Sequence, residues 1–350
     1  MALLFMDGFD YIPASGGTLA SIWLGSGSKW ALYYANGSIG TETSSTPFGF
    51  GGALDPVAGY LMKNLASNYA TLIAGFYLNP LNIHYGLRLL SFYDGSTGQV
   101  HLIVDSGGHF EVLNNGGSSV AGVGATTLVS GTWYYIEFKA TINSSTGSVY
   151  VRVNGSAEIS ATGLNLAASG NNYVNGIRLG NATFNFPGVN ESYTDDFVLM
   201  DSSGSTMNGF QGPLRIYSVL PNSDVANAGW TLSSGSTINT LINETATSTA
   251  NYVECATSTD SFLVGCGSLY GGSGNIMAVA VNSAAEGSGA GPPSFKNLLN
   301  SGSTALAGNS LTPVASTVGM FQTLYVTDPN TSAAWTTSAV NSIAVGAVMS

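Results

Sequence analysis

Residues 131–155 read GTWYYIEFKATINSSTGSVYVRVNG, two alternating runs on either side of a small polar patch. From Tyr134 the even positions, Tyr134, Ile136, Phe138, Ala140 and Ile142, carry apolar bulk. The odd positions, Tyr135, Glu137, Lys139 and Thr141, carry the polar groups, with Trp133 just before them. Beyond NSSTG the parity flips, so that Val149, Val151 and Val153 form the apolar side and Tyr150, Arg152 and Asn154 the other. A period of two on both sides of a turn cluster predicts a half-buried antiparallel hairpin. A register that pairs Phe138 with Val151 sets Glu137 opposite Arg152 on the outer face, a pair that favours this register by up to about 1 kcal/mol.

The same pattern recurs outward from this hairpin. QVHLIVDSGGHFEVLNNGG alternates through Val100, Leu102 and Val104, turns at DSGG, and resumes with Phe110 and Val112. YATLIAGFYL, residues 69–78, reads as a strand buried on both faces, and GLRLLSFYDGSTG, YVNGIRLGNATF and YTDDFVLMDSSG complete a β-rich first part. DPVAGYLMKNLASNYA, residues 55–70, comes nearest to a helical period, but Gly59 interrupts it. A boundary is expected within DSSGSTMNGFQGP, residues 201–213, dividing the chain into 1–205 and 206–350. Strand candidates beyond it are LRIYSVLP, SFLVG, IMAVAVN and MFQTLYVTDP. Trp335, Ala339, Val340 and Ile343 predict one short helix, with Gly346 as its C-terminal cap and a last strand at AVMS.

Composition agrees with this reading. The chain has 350 residues, of which 44% are hydrophobic, and its 46 glycines against 11 prolines suit many tight turns between short strands. Only 8% of residues are charged, against about a quarter in an average protein. Such a surface suits a protein held against neighbours or working outside the cytosol. A net charge of -11 with scattered basic residues excludes the basic stripe that nucleic acid requires. No run approaches the ~18 apolar residues of a membrane span, and MALLFMDGFD lacks the basic start of a secretory leader. Cys255 and Cys266 lie in a Ser/Thr/Gly-rich stretch without metal spacing; whether they are bridged stays open.

Few residues suggest chemistry. Glycoside hydrolysis needs two carboxyls flanking one bond, whereas Glu137 stands alone on its strand and Glu158 follows the turn, so no catalytic residue and no enzyme is expected. Asp195 and Asp196, with Asp201 and Glu191 near in sequence, invite calcium, which takes several carboxylate and carbonyl oxygens. Adjacent strand residues point to opposite faces, which favours one Asp anchoring a turn and the other meeting solvent, with no bound cofactor. Asp7 and Asp10 in DGFD suit a turn tied by side-chain-to-backbone bonds. His84, His101 and His109 lack a third ligand at zinc spacing and read as exposed strand histidines. Trp23, Trp30, Tyr33, Tyr34, Trp133 and Tyr135 could form an aromatic platform, and the outward Trp133 and Tyr135 need a partner: a glycan, a neighbouring subunit, or their own fold.

The order GTWYYIEFK, GSVYVRVNG, IRLG, YTDDFVLMD resembles concanavalin A-like (LamG, jelly-roll) sandwiches over roughly residues 1–200. Trp133, Asn154, Gly155, Asp195 and Asp196 fill that family's G-x-W, VNG and DD positions. LLFMDGFD at the start and YVTDPNTSAAWTTSAVNSIAVG near the end are similar to a group of tailed-bacteriophage virion proteins. That group joins a lectin-like domain to a second β domain. The resemblance implies an all-β chain, a jelly-roll sandwich followed by a smaller β domain with one short helix. It implies a non-enzymatic virion component, of minor tail, baseplate or fibre type, that works by association with other virion proteins and as a homo-oligomer, assembled in the host cytoplasm and then extracellular. Capsid decoration or a head fibre, and a carbohydrate-binding adhesin contacting host surface glycans, are the alternatives. Neither nucleic acid nor membrane is an expected partner.

Overall fold

The computed structural model describes residues 3–11, 28–35, 39–42, 46–48, 52–56, 59–114, 117, 119–180, 192–244, 248–270, 274–288 and 294–350. The chain divides into two compact units. The first comprises Met1–Ala20 and Trp30–Ile216, and the second Ser21–Lys29 and Tyr217–Ser350. The expected break at 205/206 therefore falls eleven residues later, because residues 207–216 pack on the first unit.

The first unit is built from β1 (Leu3–Asp7), β2 (Leu32–Ala35), β3 (Ile39–Glu42), β4 (Ala53–Pro56), β5 (Gly59–Tyr69), β6 (Thr71–Pro80), β7 (Arg88–Asp94) and β8 (Thr97–Val104). Seven more follow: β9 (His109–Asn114), β10 (Ser119–Thr127), β11 (Tyr134–Thr141), β12 (Gly147–Val153), β13 (Ser156–Leu164), β14 (Val174–Gly180) and β15 (Ser192–Asp201). They form two antiparallel sheets. One runs β13-β12-β11-β6-β15-β4-β3, with β1 also paired to β15, and the other runs β10-β9-β8-β7-β14-β5-β2. The near-helical stretch 55–70 is strand, most of it the long β5.

The opening hairpin takes the expected register, with Phe138 opposite Val151 and Glu137 opposite Arg152. Its inner parity is buried from Tyr134 to Ile142 and from Val149 to Val153. Phe138 stacks on Phe92 of β7 at 5.1 Å, so the two sheets face each other across this core. Hydrophobic burial at roughly 25 cal/mol per Å2 drives the closure. One open side of the sandwich is stapled by Glu158 of β13, which accepts the backbone N–H of Thr126 at 2.6 Å and its hydroxyl at 2.9 Å, at the end of β10.

The second unit holds β16 (Pro221–Ala228), β17 (Thr231–Leu232), α1 (Asn239–Ile242), β18 (Val253–Glu254), β19 (Ser261–Cys266) and β20 (Val279–Ala285). β21 (Phe295–Ser301), β22 (Thr304–Ala307), β23 (Gly319–Tyr325), α2 (Thr337–Val340) and β24 (Ala344–Met349) close the chain. A five-stranded sheet runs β16-β19-β24-β21-β22, beside the pairs β17-β18 and β20-β23. Asn297 of β21 is fully buried and ties sheet to ribbon: its amide donates to the Val281 carbonyl at 3.1 Å and to the Thr323 hydroxyl at 3.2 Å. LRIYSVLP, expected as a strand, has no partner strand and runs irregularly up to β16. The short helix is present, capped by the Thr336 hydroxyl accepting from the Ala339 N–H, but Gly346 lies inside β24 rather than capping it. Its role there is close packing between strands.

Candidate functional site

The outer parity of the hairpin, which carries the candidate binding residues Trp133 and Tyr135, is occupied by the chain itself. Residues 207–216 form a strap over the outer face of the eight-stranded sheet. Glu137 Oε1 accepts the backbone N–H groups of Gln211 at 2.7 Å and Gly212 at 3.0 Å. Arg152 lies over the Phe210 ring at 4.5 Å, and Arg215 over Phe48 at 4.1 Å. Glu137 and Arg152 are thus cross-strand partners without an ion pair between them, because each grips the strap instead. Strap anchoring also fixes Met207, buried with a left-handed φ of 52°.

Tyr135 is 2% exposed. Its ring meets Tyr77 edge-on at 4.8 Å, and its hydroxyl reaches over Gly75 of β6, where a Cβ would stand 2.5 Å away. Burial, with Glu137 close by, pushes its phenol far above the ordinary range. Of the three partners considered for this side chain it meets its own fold, so it does not present a surface to a glycan or another subunit. Trp133 is half-buried at the head of the hairpin, with its indole Nε1 enclosed and making no hydrogen bond among the described residues. Trp30 is no platform residue: it is 1% exposed, meets Phe5 edge-on at 4.9 Å, and donates its Nε1–H to Asp7 at 2.7 Å. Trp23 and the side chains of Tyr33 and Tyr34 lie outside the described residues.

Asp195 and Asp196 do not alternate between inside and solvent. A bulge between Asp195 and Val198 breaks the β15 pairing with β6, and Asp196 takes a left-handed φ of 50°. The bulge removes the strict two-residue period, and both carboxyls end up buried, at 5% and 3% exposure. Asp195 Oδ1 accepts the Asp196 N–H at 2.8 Å, and Asp196 Oδ1 accepts the Ile216 N–H at the end of the strap, also at 2.8 Å. Desolvation raises both carboxyls well above the usual range, and the neighbouring Asp10 adds to it for each. Asp7 is saturated by the Phe9 N–H, the Tyr11 hydroxyl and Trp30, which is the tied turn expected of DGFD. No group of three His, Cys, Asp or Glu among the described residues is placed to hold a metal ion. Glu191 lies outside those residues, and Asp201 accepts from its own turn, at Ser203.

A pH dependence follows. A carboxyl whose folded pKa exceeds its unfolded value adds stability at low pH and loses it as pH rises through the folded value. The pair should therefore weaken the first unit as pH climbs from mildly acid toward alkaline. Asp195→Asn, which cannot ionise, should flatten that decline, read as urea midpoints between pH 5 and pH 9. A decline of equal steepness in the variant would contradict the assignment.

His101, expected as an exposed strand histidine, is 1% exposed. Its Nδ1 lies 2.7 Å from the Ser91 hydroxyl. Burial, with Arg88 and Arg178 nearby, drives its pKa down to about 3, so it is neutral at ordinary pH. His109 is half-buried against Asp105 at 3.3 Å. Both cysteines are free. Cys255 Sγ sits by Asp260, just before β19, and Cys266 ends that strand, so at a rise of ~3.3 Å per residue they stand about 20 Å apart. The air-oxidised, denatured chain should accordingly take up two thiol-alkylating groups, as counted by mass spectrometry. A chain taking up none would show a bridge.

The arrangement that sequence reading missed lies on the outer face of the seven-stranded sheet. Arg178 of β14 is held between two rings, 3.9 Å over Tyr93 of β7 and 4.9 Å over Tyr60 of β5. Arg178 stands opposite Met62 on one neighbouring strand and Ser91 on the other, and Ser91 stands opposite His101. The alternation of β14 marks Arg178 as outward, but nothing local in the sequence announces the two tyrosines from other strands.

No family model and no curated protein matches the chain. Solved structures with a distant likeness include domain 4 of AbnA, an extracellular arabinanase from Geobacillus stearothermophilus, in complex with arabinotriose. It is 14% identical with a TM-score of 0.36, over 57% of this chain and 93% of that one. The alginate lyase Aly36B is 15% identical with a TM-score of 0.35, over 56% and 96%. Botulinum neurotoxin type C is 12% identical with a TM-score of 0.37, over 57% and 47%. At these values they assign no function to this chain.

Proposed function

We propose that the chain is a non-enzymatic structural component of a tailed-phage virion, of minor tail, baseplate or fibre type, acting by association with other virion proteins and with copies of itself. The observation that carries this reading is the surface of the second unit. Leu220, Val225, Tyr252, Tyr270, Leu306 and Val314 are exposed there, Tyr270 to 84%. Between Tyr217 and Ser350 the only basic side chain is Lys296. Apolar side chains on a surface so poor in charge bury at small desolvation cost. The similarity of both chain ends to phage virion proteins supports the setting. In the first unit, acids that could have suggested catalysis or metal binding serve as anchors: Glu137 for the strap, Glu158 for the sandwich edge and Asp196 for the end of the strap.

Two measurements test the reading. The purified full chain should form a discrete multimer by light scattering, and particles of a phage encoding it should contain it in fixed stoichiometry by mass spectrometry. A chain that stays monomeric and is absent from such particles would overturn the proposal. Copy number separates the positions, since capsid decoration needs hundreds of copies and a tail tip only a few.

A further inference from the structure

Two guanidinium groups on the first unit have no acceptor among the described residues. Arg178 and Arg88 each offer five N–H donors, yet among the described residues neither donates a hydrogen bond or forms an ion pair. Arg178 is fixed in orientation: the rings of Tyr93 and Tyr60 cover its faces, and its Nε is enclosed without a partner. The Arg178 and Arg88 side chains are each half-buried. A ring-clamped guanidinium is a planar fork with little rotamer entropy left to lose when it binds an oxyanion.

Arg88 belongs to the same face. It stands opposite Ile103 of β8, two positions along from His101. A Cβ on Gly117 would lie 3.4 Å from the Arg88 Nη2 and 3.5 Å from the His101 ring. His101 also meets the Tyr93 ring that clamps Arg178, at 5.8 Å between centroids. The two arginines therefore flank one buried, neutral imidazole. Glu111, opposite Ile103 on the far side of β8, forms an ion pair with neither. Neither cation has a carboxylate partner among the described residues, in a chain with 19 acids and only eight basic residues.

We propose that Arg178 and Arg88 form a binding site for an oxyanion group: carboxylate, sulfate or phosphate. Arg178 supplies an oriented two-pronged contact and Arg88 a second charge across His101. The tyrosines hold the guanidinium in place, and the site is independent of the association surface of the second unit.

The experiment is a titration of the full chain, at constant ionic strength set with chloride, by calorimetry and amide chemical shifts. The probes are sulfate, a short oligouronate, and a neutral oligosaccharide of equal length. The oligouronate should bind saturably, at least tenfold more weakly to Arg178→Gln and to Arg88→Gln, and unchanged to Lys139→Gln on the other sheet. Sulfate binding with the same arginine dependence and no gain for the oligouronate would support the oxyanion site with a free ion as occupant. Absence of saturable binding by either anion would overturn the proposal. So would equal binding of the neutral sugar, or binding unchanged in a folded Arg178→Gln or Arg88→Gln chain.

Discussion

Gly346→Ala should destabilise the second unit by about 3 kcal/mol or more, at the severe end for a single methyl group. Gly346 lies in the central strand of the five-stranded sheet, opposite Leu263 on one side and Leu298 on the other. A Cβ there would stand 1.9 Å from the Phe262 carbonyl oxygen and 2.8 Å from its carbon. The clashing atoms are backbone in a strand paired on both sides, so no side-chain rotation relieves them. Phe262 belongs to the cluster with Val264, Phe295 and Phe321, and displacing it opens that core. In calorimetry the transition of this unit should fall by roughly 10 °C, using a few degrees per kcal/mol. A transition within a degree of the parent would refute the packing at this position.

Glu137→Ala should cost the first unit about 2–4 kcal/mol, because it strands two backbone N–H groups that lose about 1–3 kcal/mol each when left buried and unpaired. Glu137 is 1% exposed and its Oε1 accepts from both Gln211 and Gly212. Glu137→Gln keeps an oxygen at that position and should retain most of the stability. If alanine and glutamine cost the same in urea unfolding, the carboxyl oxygen is not the anchor. The alanine variant should also expose Tyr135, read as increased near-ultraviolet solvent sensitivity of its ring.

The inner half of the architecture was legible in the sequence because burial imposes a period. Phe138 opposite Val151 follows from two apolar parities meeting across a turn, since a one-residue slip would turn one of them to the outer face. The outer half was not legible, since nothing at Tyr135 or Glu137 says that a segment some 70 residues on will cover them. The expected Glu137–Arg152 pair gave the correct register for the wrong reason, as both side chains turn to the strap. Alternation failed at Asp195 and Asp196 because a bulge is a one-residue insertion that leaves no compositional mark. It failed at His101 because an outer face can be as buried as an inner one. In the second unit, β16, β21 and β22 escaped notice because PNSDVANA, FKNLLNS and TALA are too polar or too short to alternate clearly. Gly346 was misplaced for a related reason, since a glycine after a helix and a glycine at a close strand crossing look alike in sequence.

The strap is the central structural claim, because it decides that the hairpin's outer face is closed by the chain itself. Native-state hydrogen exchange of the Gln211, Gly212 and Ile216 amides tests it most directly. All three donate to buried carboxyls, Glu137 and Asp196, and should exchange at least a thousandfold more slowly than an open loop. The protection at Gln211 and Gly212 should disappear in Glu137→Ala. Exchange of these amides at the rate of an unstructured peptide in the parent chain would contradict the account.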